Sequence, residues 1–170
     1  DQDGDGNIWF SSQGNGLFKY DPDKQEWTNY VHSNAPGALI NDQVNCVLID
    51  GNGEMWIGTM NGLCKYNAKE DQFELIPLDI PSSNICAIIE DQRVLWLTTT
   101  KGLVRYAPEE SCQVFTRSDG LQSEQFLVNA ALKASDGKIY IGSVNGFNAF
   151  YPYQIKTNKV LPPVIITGLE

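Results

Sequence analysis

The stretch "GEMWIGTMNGLCKYN", residues 53–67, sets the architecture of this chain, because the sequence contains three further copies of it. The copies are "GNIWFSSQGNGLFKYD" (6–21), "RVLWLTTTKGLVRYA" (93–107) and "GKIYIGSVNGFNAFY" (137–151). Their anchor aromatics Trp9, Trp56, Trp96 and Tyr140 are 47, 40 and 44 residues apart. Self-similarity at a nearly fixed period of this length is typical of proteins that repeat one supersecondary unit.

Each repeat has the pattern of four short strands. Around the second copy, the apolar run "VNCVLI" (44–49) is followed by turn residues, the β-rich "MWIGT", a second turn, the alternating "LCKY" and finally "FELI" (73–76). No stretch has helical periodicity with a convincing cap. Four strands in a period of about 40 to 45 residues are the signature of a β-propeller blade. A β-solenoid is the alternative, but its coils are usually much shorter. The sequence therefore predicts an all-β fold, a partial β-propeller.

The spacing of the repeats predicts about three and a half blades. We expect a partial blade at 1–30, which lacks its inner strand, complete blades at 44–76 and 85–116, and a partial blade at 126–151, which lacks its outermost strand. A propeller closes only when its first and last blades meet, because open edges expose unpaired backbone groups and apolar faces. We therefore expect a fragment, whose partners are the remaining blades of the propeller or a second copy of the chain.

Composition narrows the classes of function. With 42% apolar residues in 170, the chain has the apolar content of a folded protein. The net charge of -9, with no cluster of Lys or Arg, argues against nucleic acid as a partner, because phosphate backbones are bound mainly by cationic side chains. A neutral or cationic ligand is easier to accommodate. No apolar run is long enough to predict a membrane-crossing helix.

The opening "DQDGDG" (1–6) has the aspartate spacing of a calcium loop. An EF-hand loop also needs a bidentate carboxylate at its twelfth position, and that position here is Ser12. Aligned on the tryptophans, "DGDGNIW" corresponds to "DGNGEMW" (50–56) and "DQRVLW" (91–96). We therefore interpret the segment as the turn between the first two strands of a blade, where Asp and Gly suit tight turns. The sequence predicts no metal site.

The cysteines are predicted to be small buried hydrophobic residues. Cys46 and Cys86 each lie ten residues before a repeat tryptophan, which predicts the same position on successive inner strands. Cys64 and Cys112 also replace apolar residues of other repeats. A zinc or catalytic site would need clustered ligands, yet His32 is the single histidine.

Catalytic motifs are missing as well. We therefore expect no catalytic residues and no cofactor. Most carboxylates fall in turns, among them Asp50, Asp71 and Asp136. Glu90 and Asp91 follow an apolar inner strand, so they either face the central channel or cap the end of the strand.

The connections between blades carry the candidate ligand-binding residues, because loops held by rigid sheets commonly carry function. The candidates are His32, Asn34, Asn41, Asp42, Gln43, Ser83, Asn84, Glu124 and Gln125. Amides and carboxylates of this kind can hydrogen-bond to a sugar. The alternative is structural: "LINDQV" (39–44), "IPSSNI" (80–85) and "LQSEQF" (121–126) resemble one another, as a shared polar lead-in to the inner strand would.

Residues 1–155 resemble the two-component-regulator propeller repeat in their W-I-G-T and N-G-L motifs. Residues 120–155 resemble the last blade of that family's second propeller. Residues 156–170, with "LPPVIITGLE" (161–170), resemble a linker and the first strand of the following immunoglobulin-like β-sandwich module. The resemblance implies part of a seven-bladed propeller in a Bacteroides-type hybrid sensor histidine kinase. It further implies a periplasmic location, an oligosaccharide ligand, a homodimeric sensor and a kinase that lies outside this segment.

Two other classes remain open at this stage. A propeller enzyme similar to the streptogramin lyases shares the "G-x-I-W-F" pattern, although the scarcity of histidine counts against it. A protein-interaction scaffold like the WD-repeat propellers is the second, but no "WD" dipeptide closes a blade here.

Overall fold

A computed structural model describes residues 1–108 and 110–155, which form four antiparallel sheets in chain order. The first sheet comprises β1 (Ile8–Ser11), β2 (Leu17–Asp21) and β3 (Glu26–Tyr30). The second comprises β4 (Val44–Ile49), β5 (Met55–Thr59), β6 (Gly62–Asn67) and β7 (Gln72–Ile76). The third comprises β8 (Ile85–Asp91), β9 (Val94–Thr99), β10 (Gly102–Tyr106) and β11 (Gln113–Phe115). The fourth comprises β12 (Phe126–Lys133), β13 (Ile139–Ser143) and β14 (Gly146–Phe150). Short 3₁₀ turns lie at Arg117–Asp119 and Pro152–Gln154.

Each sheet is a meander in which every strand pairs with its neighbour in sequence. The inner strands β4, β8 and β12 contact one another, and the remaining strands extend outward from them in order. This arrangement is that of propeller blades, so the predicted all-β partial β-propeller is confirmed. The predicted linker and sandwich strand at 156–170 lie outside the described residues. The division of the chain into domains stays a prediction.

The core consists of three apolar layers, one between each pair of neighbouring sheets. The repeat tryptophan of each of the first three sheets faces the next sheet. Trp9 packs with Met55 and Ile57, and Trp56 packs with Leu95 and Leu97. Trp96 packs in the same way with Ile139 and Ile141 of the fourth sheet. The period seen in the sequence is therefore the period of interblade packing.

Turn aspartates hold the tryptophans of the first two sheets. Trp9 Nε1 donates to Asp3 Oδ2 at 2.7 Å, and Trp56 Nε1 donates to Asp50 Oδ2 at 2.9 Å. The other oxygen of each carboxylate accepts backbone N–H groups of its own turn. Burial raises the pKa of Asp3, but the hydrogen bonds from Trp9 and Asn7 outweigh it and leave the pKa below its usual value. The segment "DQDGDG" thus forms a capped turn.

The corresponding turn of the third sheet is one residue shorter. Asp91 pairs directly with Val94, and the two residues between them, Gln92 and Arg93, have φ values of 50° and 69°. Positive φ at both positions is typical of a two-residue type I′ turn. As a result Trp96 pairs with Ile89, seven residues earlier, whereas Trp56 pairs with Leu48, eight residues earlier.

This shift corrects the predicted equivalence of Cys46 and Cys86. Cys46 pairs with Gly58, but its counterpart in the third sheet is Ala87, which pairs with Thr98. Cys86 lies instead in the irregularity between Ile85 and Ala87. The sequence prediction placed Cys86 by counting ten residues back from Trp96. That count crosses a turn one residue shorter than the turn before Trp56, so the predicted position is off by one.

The cysteines are free thiols in the structure, and burial differs among them. Cys46, Cys64 and Cys86 are buried, which raises the pKa of Cys46 to about 12 and those of Cys64 and Cys86 to about 11. Cys112 is only partly buried, contrary to the prediction, because it lies just before the outermost strand β11.

Two tyrosines and one aspartate join the first two sheets at their outer side. Tyr30 Oη and Tyr66 Oη both donate to Asp71 Oδ1, at 2.7 and 2.5 Å. Burial and the neighbouring carboxylate raise the pKa of Tyr30 to about 12, and burial also raises the pKa of Tyr66. The hydrogen bond from Tyr66 lowers the pKa of Asp71.

We expect stability to fall as the pH rises from 10 toward 12. A raised folded-state pKa favours the neutral phenol, so its stabilisation is complete below the ordinary value of 10.0 and is lost through about 12. The raised pKa values of the buried thiols also make stability fall as the pH rises, so a tyrosine variant is needed to isolate the contribution of Tyr30. Urea unfolding at several pH values should show a shallower loss for Tyr30→Phe than for the parent, while Tyr153→Phe, at an exposed site, matches the parent. Parallel curves for all three proteins would contradict the assignment.

Candidate ligand-binding site

All three connections between sheets lie at one edge of the propeller. We call this the connector edge, formed by residues 31–43, 77–84 and 116–125 together with the β1–β2, β5–β6, β9–β10 and β13–β14 turns. Backbone bonds tie these parts together: Gly16 N donates to Asp42 O, and Met60 N donates to Gln43 O. Gly102 N and Val144 N likewise donate to Glu124 O and Gln125 O. The connector after one sheet therefore bridges the hairpin turns of two sheets.

The three connectors end in the same hydrogen-bonded turn. Gln43 N donates to Asn41 Oδ1 at 2.7 Å. Asn84 N and Gln125 N donate to the hydroxyl oxygens of Ser82 and Ser123, at 3.3 and 3.2 Å. Side chains of Asn and Ser commonly bind the backbone two residues ahead in this way. The similarity of "LINDQV", "IPSSNI" and "LQSEQF" has this structural origin, and Asn41 has a role in the fold.

Several other candidate residues also hold the connectors in place. His32 N donates to Asp42 Oδ1 at 2.6 Å, and the His32 ring nitrogen Nδ1 lies 2.9 Å from Leu39 O. Arg117 N donates to Glu124 Oε1 at 2.9 Å. Each of these bonds uses one polar atom of a candidate side chain: Asp42 Oδ1, His32 Nδ1 or Glu124 Oε1.

Four candidate side chains are exposed and make no side-chain hydrogen bond within residues 1–108 and 110–155: Asn34, Gln43, Ser83 and Gln125. The hairpin turns add Asn15, Asn61, Lys101 and Asn145, also exposed. Ser83 and Asn61 line one cavity of about 220 Å³. Amides and hydroxyls both donate and accept hydrogen bonds without carrying charge. This part of the connector edge is suited to an uncharged polar ligand.

Sequence reasoning missed a polar residue that supports this edge. Asn45 is buried on the inner strand β4, and its Nδ2 donates to Asn84 Oδ1 at 2.9 Å and to Ile85 O at 2.8 Å. The amide thereby links the inner strand of the second sheet to the end of the connector 77–84, which leads into the third sheet. The signal was the single polar residue in the apolar run "VNCVLI", because a buried amide needs partners.

Glu90 and Asp91 occupy the end of β8 rather than following it. Gly51 N donates to Glu90 Oε2 at 2.8 Å, and Lys133 Nζ lies 2.8 Å from Asp91 Oδ1. Both carboxylates therefore bridge neighbouring sheets at the strand end.

In the described ranges, no three His, Cys, Asp or Glu side chains are grouped as metal ligands. Neither of the short helical turns described above could cross a membrane.

Comparison with known proteins gives one match to a family model and several structures of similar fold. Residues 38–61 match the family model "Two component regulator propeller". No curated protein matches the sequence. The structure is similar to the extracellular domain described for the hybrid two component system BT3049 of B. thetaiotaomicron, with a TM-score of 0.77 and 24% identity over 89% of this chain and 21% of that one. For the BT4673 domain of the same organism the TM-score is 0.73 and the identity 22%, over 91% and 20% of the two chains.

The same fold also occurs in a protein with another task. PorZ, a surface component of the type-IX secretion system of Porphyromonas gingivalis, matches with a TM-score of 0.52 and 16% identity over 88% of this chain and 31% of its own. The present chain spans only 21% and 20% of the two B. thetaiotaomicron domains. As the sequence predicted, the chain carries a two component regulator propeller repeat, set in a partial β-propeller with the fold of those extracellular domains.

Proposed function

We propose that this chain is a non-catalytic part of the periplasmic, ligand-sensing propeller of a hybrid two-component system, and that its ligand is an oligosaccharide. The observation that carries the proposal is the regulator-propeller repeat at 38–61, within a fold similar to two extracellular domains of hybrid two component systems. The whole sensor is proposed to be a homodimer whose kinase region lies outside this segment.

The chemistry of the connector edge supports an uncharged polyhydroxylated ligand. Gln43 and Gln125 expose amides on the first and third connectors, and Ser83 exposes a hydroxyl on the second connector, between them. The net charge of -9 disfavours an anionic polymer. Rigid sheets and the bonds of Asn41, Ser82 and Ser123 hold the backbone beneath these side chains, which limits the entropy lost on binding.

Signalling would follow from differential affinity. A ligand shifts an equilibrium only by binding one arrangement more tightly than the other. In the proposed sensor, those arrangements are two relative positions of the protomers, and oligosaccharide binding at the propellers biases the kinase toward one of them.

We expect the double variant Gln43→Ala and Gln125→Ala to bind the oligosaccharide about tenfold more weakly, which corresponds to about 1.4 kcal/mol. Both side chains are exposed, so the melting temperature should not change. Isothermal titration calorimetry of the intact protein against a panel of neutral oligosaccharides measures the affinity. The matched control is Asn52→Ala, which removes an exposed amide at the opposite edge of the sheets.

Three outcomes would contradict the proposal. Turnover of the sugar would assign an enzyme. A stable protein partner with no affinity for any oligosaccharide would assign an interaction scaffold. Equal affinity in the parent and the double variant would remove the connector edge as the site.

A further inference from the structure

A buried amide at the start of the inner strand β4 has a free oxygen. Asn45 is only 8% exposed. Its Nδ2 donates to Asn84 Oδ1 at 2.9 Å and to Ile85 O at 2.8 Å, which uses both amide hydrogens. Its Oδ1 accepts no hydrogen bond within residues 1–108 and 110–155. Polar atoms of buried residues usually have a partner, so this free acceptor calls for a physical explanation.

A backbone carbonyl fixes the orientation of both amides. Ile85 O can only accept, so the Asn45 group that faces it has to be the NH₂. The same NH₂ lies against the side chain of Asn84, so Asn84 has to present its oxygen there. The two groups left over are Asn45 Oδ1, an acceptor, and Asn84 Nδ2, a donor. Asn84 Nδ2 likewise makes no hydrogen bond in the part of the chain that the structure describes.

Both free groups can be reached by a ligand. The polar side-chain atoms that are occluded and also unpaired within the described residues are Trp96 Nε1, Thr98 Oγ1, Gln113 Oε1 and Asn148 Nδ2. Asn45 Oδ1 and Asn84 Nδ2 do not belong to this set, although neither has a partner there. Each of the two atoms therefore keeps accessible surface.

The amide pair lies at the connector edge, between the inner strands of two sheets. Asn45 is the extra residue of a one-residue bulge, because Val44 pairs with Thr59 and Cys46 pairs with Gly58. A bulge turns a side chain out of the regular alternation of a strand. Here it directs the amide toward the first residue of the neighbouring inner strand β8. Both strands begin at the connector edge, so the free groups face that end of the propeller.

The bulge itself does not require an amide. The third sheet has the same irregularity between Ile85 and Ala87, and Cys86 occupies it. The thiol of Cys86 lies 3.9 Å from Asn84 O, and a thiol is a weak donor. One sheet therefore forms this bulge with a small thiol, whereas the other places an amide with a free oxygen there. This difference favours a role for Asn45 beyond the fold.

Asn84 is held in place by its connector. Its N–H donates to Ser82 Oγ at 3.3 Å, and Ser82 Oγ lies 2.8 Å from Thr100 Oγ1 of the β9–β10 turn. Because the side chain is fixed as well, Asn84 has little rotational freedom to lose when a ligand binds. Gln43 and Gln125 occupy the corresponding position of the other two connectors, since each donates its N–H to the residue two earlier. Amides therefore recur at this position of all three connectors.

We propose that Asn45 and Asn84 form the specificity-determining subsite of the connector edge and bind two neighbouring hydroxyl groups of a neutral sugar. One hydroxyl donates to Asn45 Oδ1, and the other accepts from Asn84 Nδ2. A carboxylate cannot donate to Asn45 Oδ1 and an ammonium cannot accept from Asn84 Nδ2, whereas hydroxyls do both. This inference rests on the proposed function. It adds a buried residue of the inner strand to the site and names the contacts that select the ligand.

The first test is the variant Asn84→Asp. Its carboxylate still accepts from Asn45 Nδ2 but has no N–H for the ligand. The intact protein and the variant are titrated by calorimetry with maltotriose, cellotriose, xylotriose and mannotriose. For a trisaccharide that binds the parent, we expect affinity at least about tenfold weaker and an unchanged melting temperature. The control Asn52→Asp places the same charge at the opposite edge and should bind as the parent does.

The second test is Asn45→Cys, which introduces the residue that occupies the bulge of the third sheet. We expect affinity to fall about tenfold in reducing buffer, because the free oxygen is lost. A contact can be distinguished from a structural effect with monodeoxy analogues of the bound trisaccharide. The analogue that lacks the hydroxyl bound by Asn45 should bind the parent about tenfold more weakly, with no further loss in Asn45→Cys.

Failure of this inference can be distinguished from failure of the proposed function. If the parent binds a trisaccharide and both Asn84→Asp and Asn45→Cys bind it equally well, the amide pair is not the subsite, while Gln43 and Gln125 still define a sugar site. Tighter binding of trigalacturonate than of every neutral trisaccharide would also overturn the inference. If no neutral oligosaccharide binds the parent, the proposed function fails, and the inference fails with it.

Discussion

Gly102→Ala is expected to lower the free energy of unfolding by about 3 kcal/mol or more. Gly102 has a φ of 120°, a region that side chains rarely adopt, at a cost of about 1–3 kcal/mol. An added Cβ would also lie 2.6 Å from the backbone oxygen of Phe115, so the outermost strand of the third sheet would have to move. Moving it adds about 1–3 kcal/mol of packing strain. The same glycine donates its N–H to Glu124 O at 2.8 Å, which ties this sheet to the connector.

The variant Gly120→Ala separates the cost of positive φ from the cost of the contact with Phe115. Its φ is 101°, but an added Cβ would have no neighbour within 4 Å. The conformational penalty alone should then remain, about 1 to 2 kcal/mol. Urea unfolding of the two variants and the parent gives the comparison. Equal losses for Gly102→Ala and Gly120→Ala would show that the contact with Phe115 has no energetic weight.

Asp50→Ala should lower the free energy of unfolding by about 2 to 4 kcal/mol. The substitution leaves the buried Nε1 of Trp56 without an acceptor, at about 1–3 kcal/mol. It also removes the carboxylate oxygen that caps the turn by accepting hydrogen bonds from the backbone N–H groups of Asn52 and Glu54. Chemical unfolding, followed by the fluorescence of the buried tryptophans, measures the loss.

Asp5→Ala is the control for this prediction. Asp5 is an exposed turn aspartate whose carboxylate accepts no hydrogen bond within residues 1–108 and 110–155. The change in stability should stay within about 0.5 kcal/mol. If Asp50→Ala were equally mild, the hydrogen bond from Trp56 Nε1 to the Asp50 carboxylate would not stabilise the fold.

The candidate site could be predicted only in part. The connector residues were found from their polarity and position, but the same residue types serve both as ligand contacts and as backbone caps. Asn41 and Asp42 were therefore indistinguishable from Gln43 until the hydrogen bonds were known. The role of Asn45 was not predicted, because its partners Asn84 and Ile85 lie 39 and 40 residues away in the sequence.

Local pattern was sufficient for the architecture. Strand alternation, the turn glycines and the recurring tryptophans act over a few residues, so the all-β partial propeller could be inferred from the sequence. Pairing across strands was decided only in three dimensions. Because the turn in the third sheet is one residue shorter, Cys86 does not occupy the position of Cys46. The Asp91 carboxylate in that turn pairs with Lys133. Register and partner depend on atoms from separate strands, and a one-residue change in a turn alters both without changing the repeat pattern.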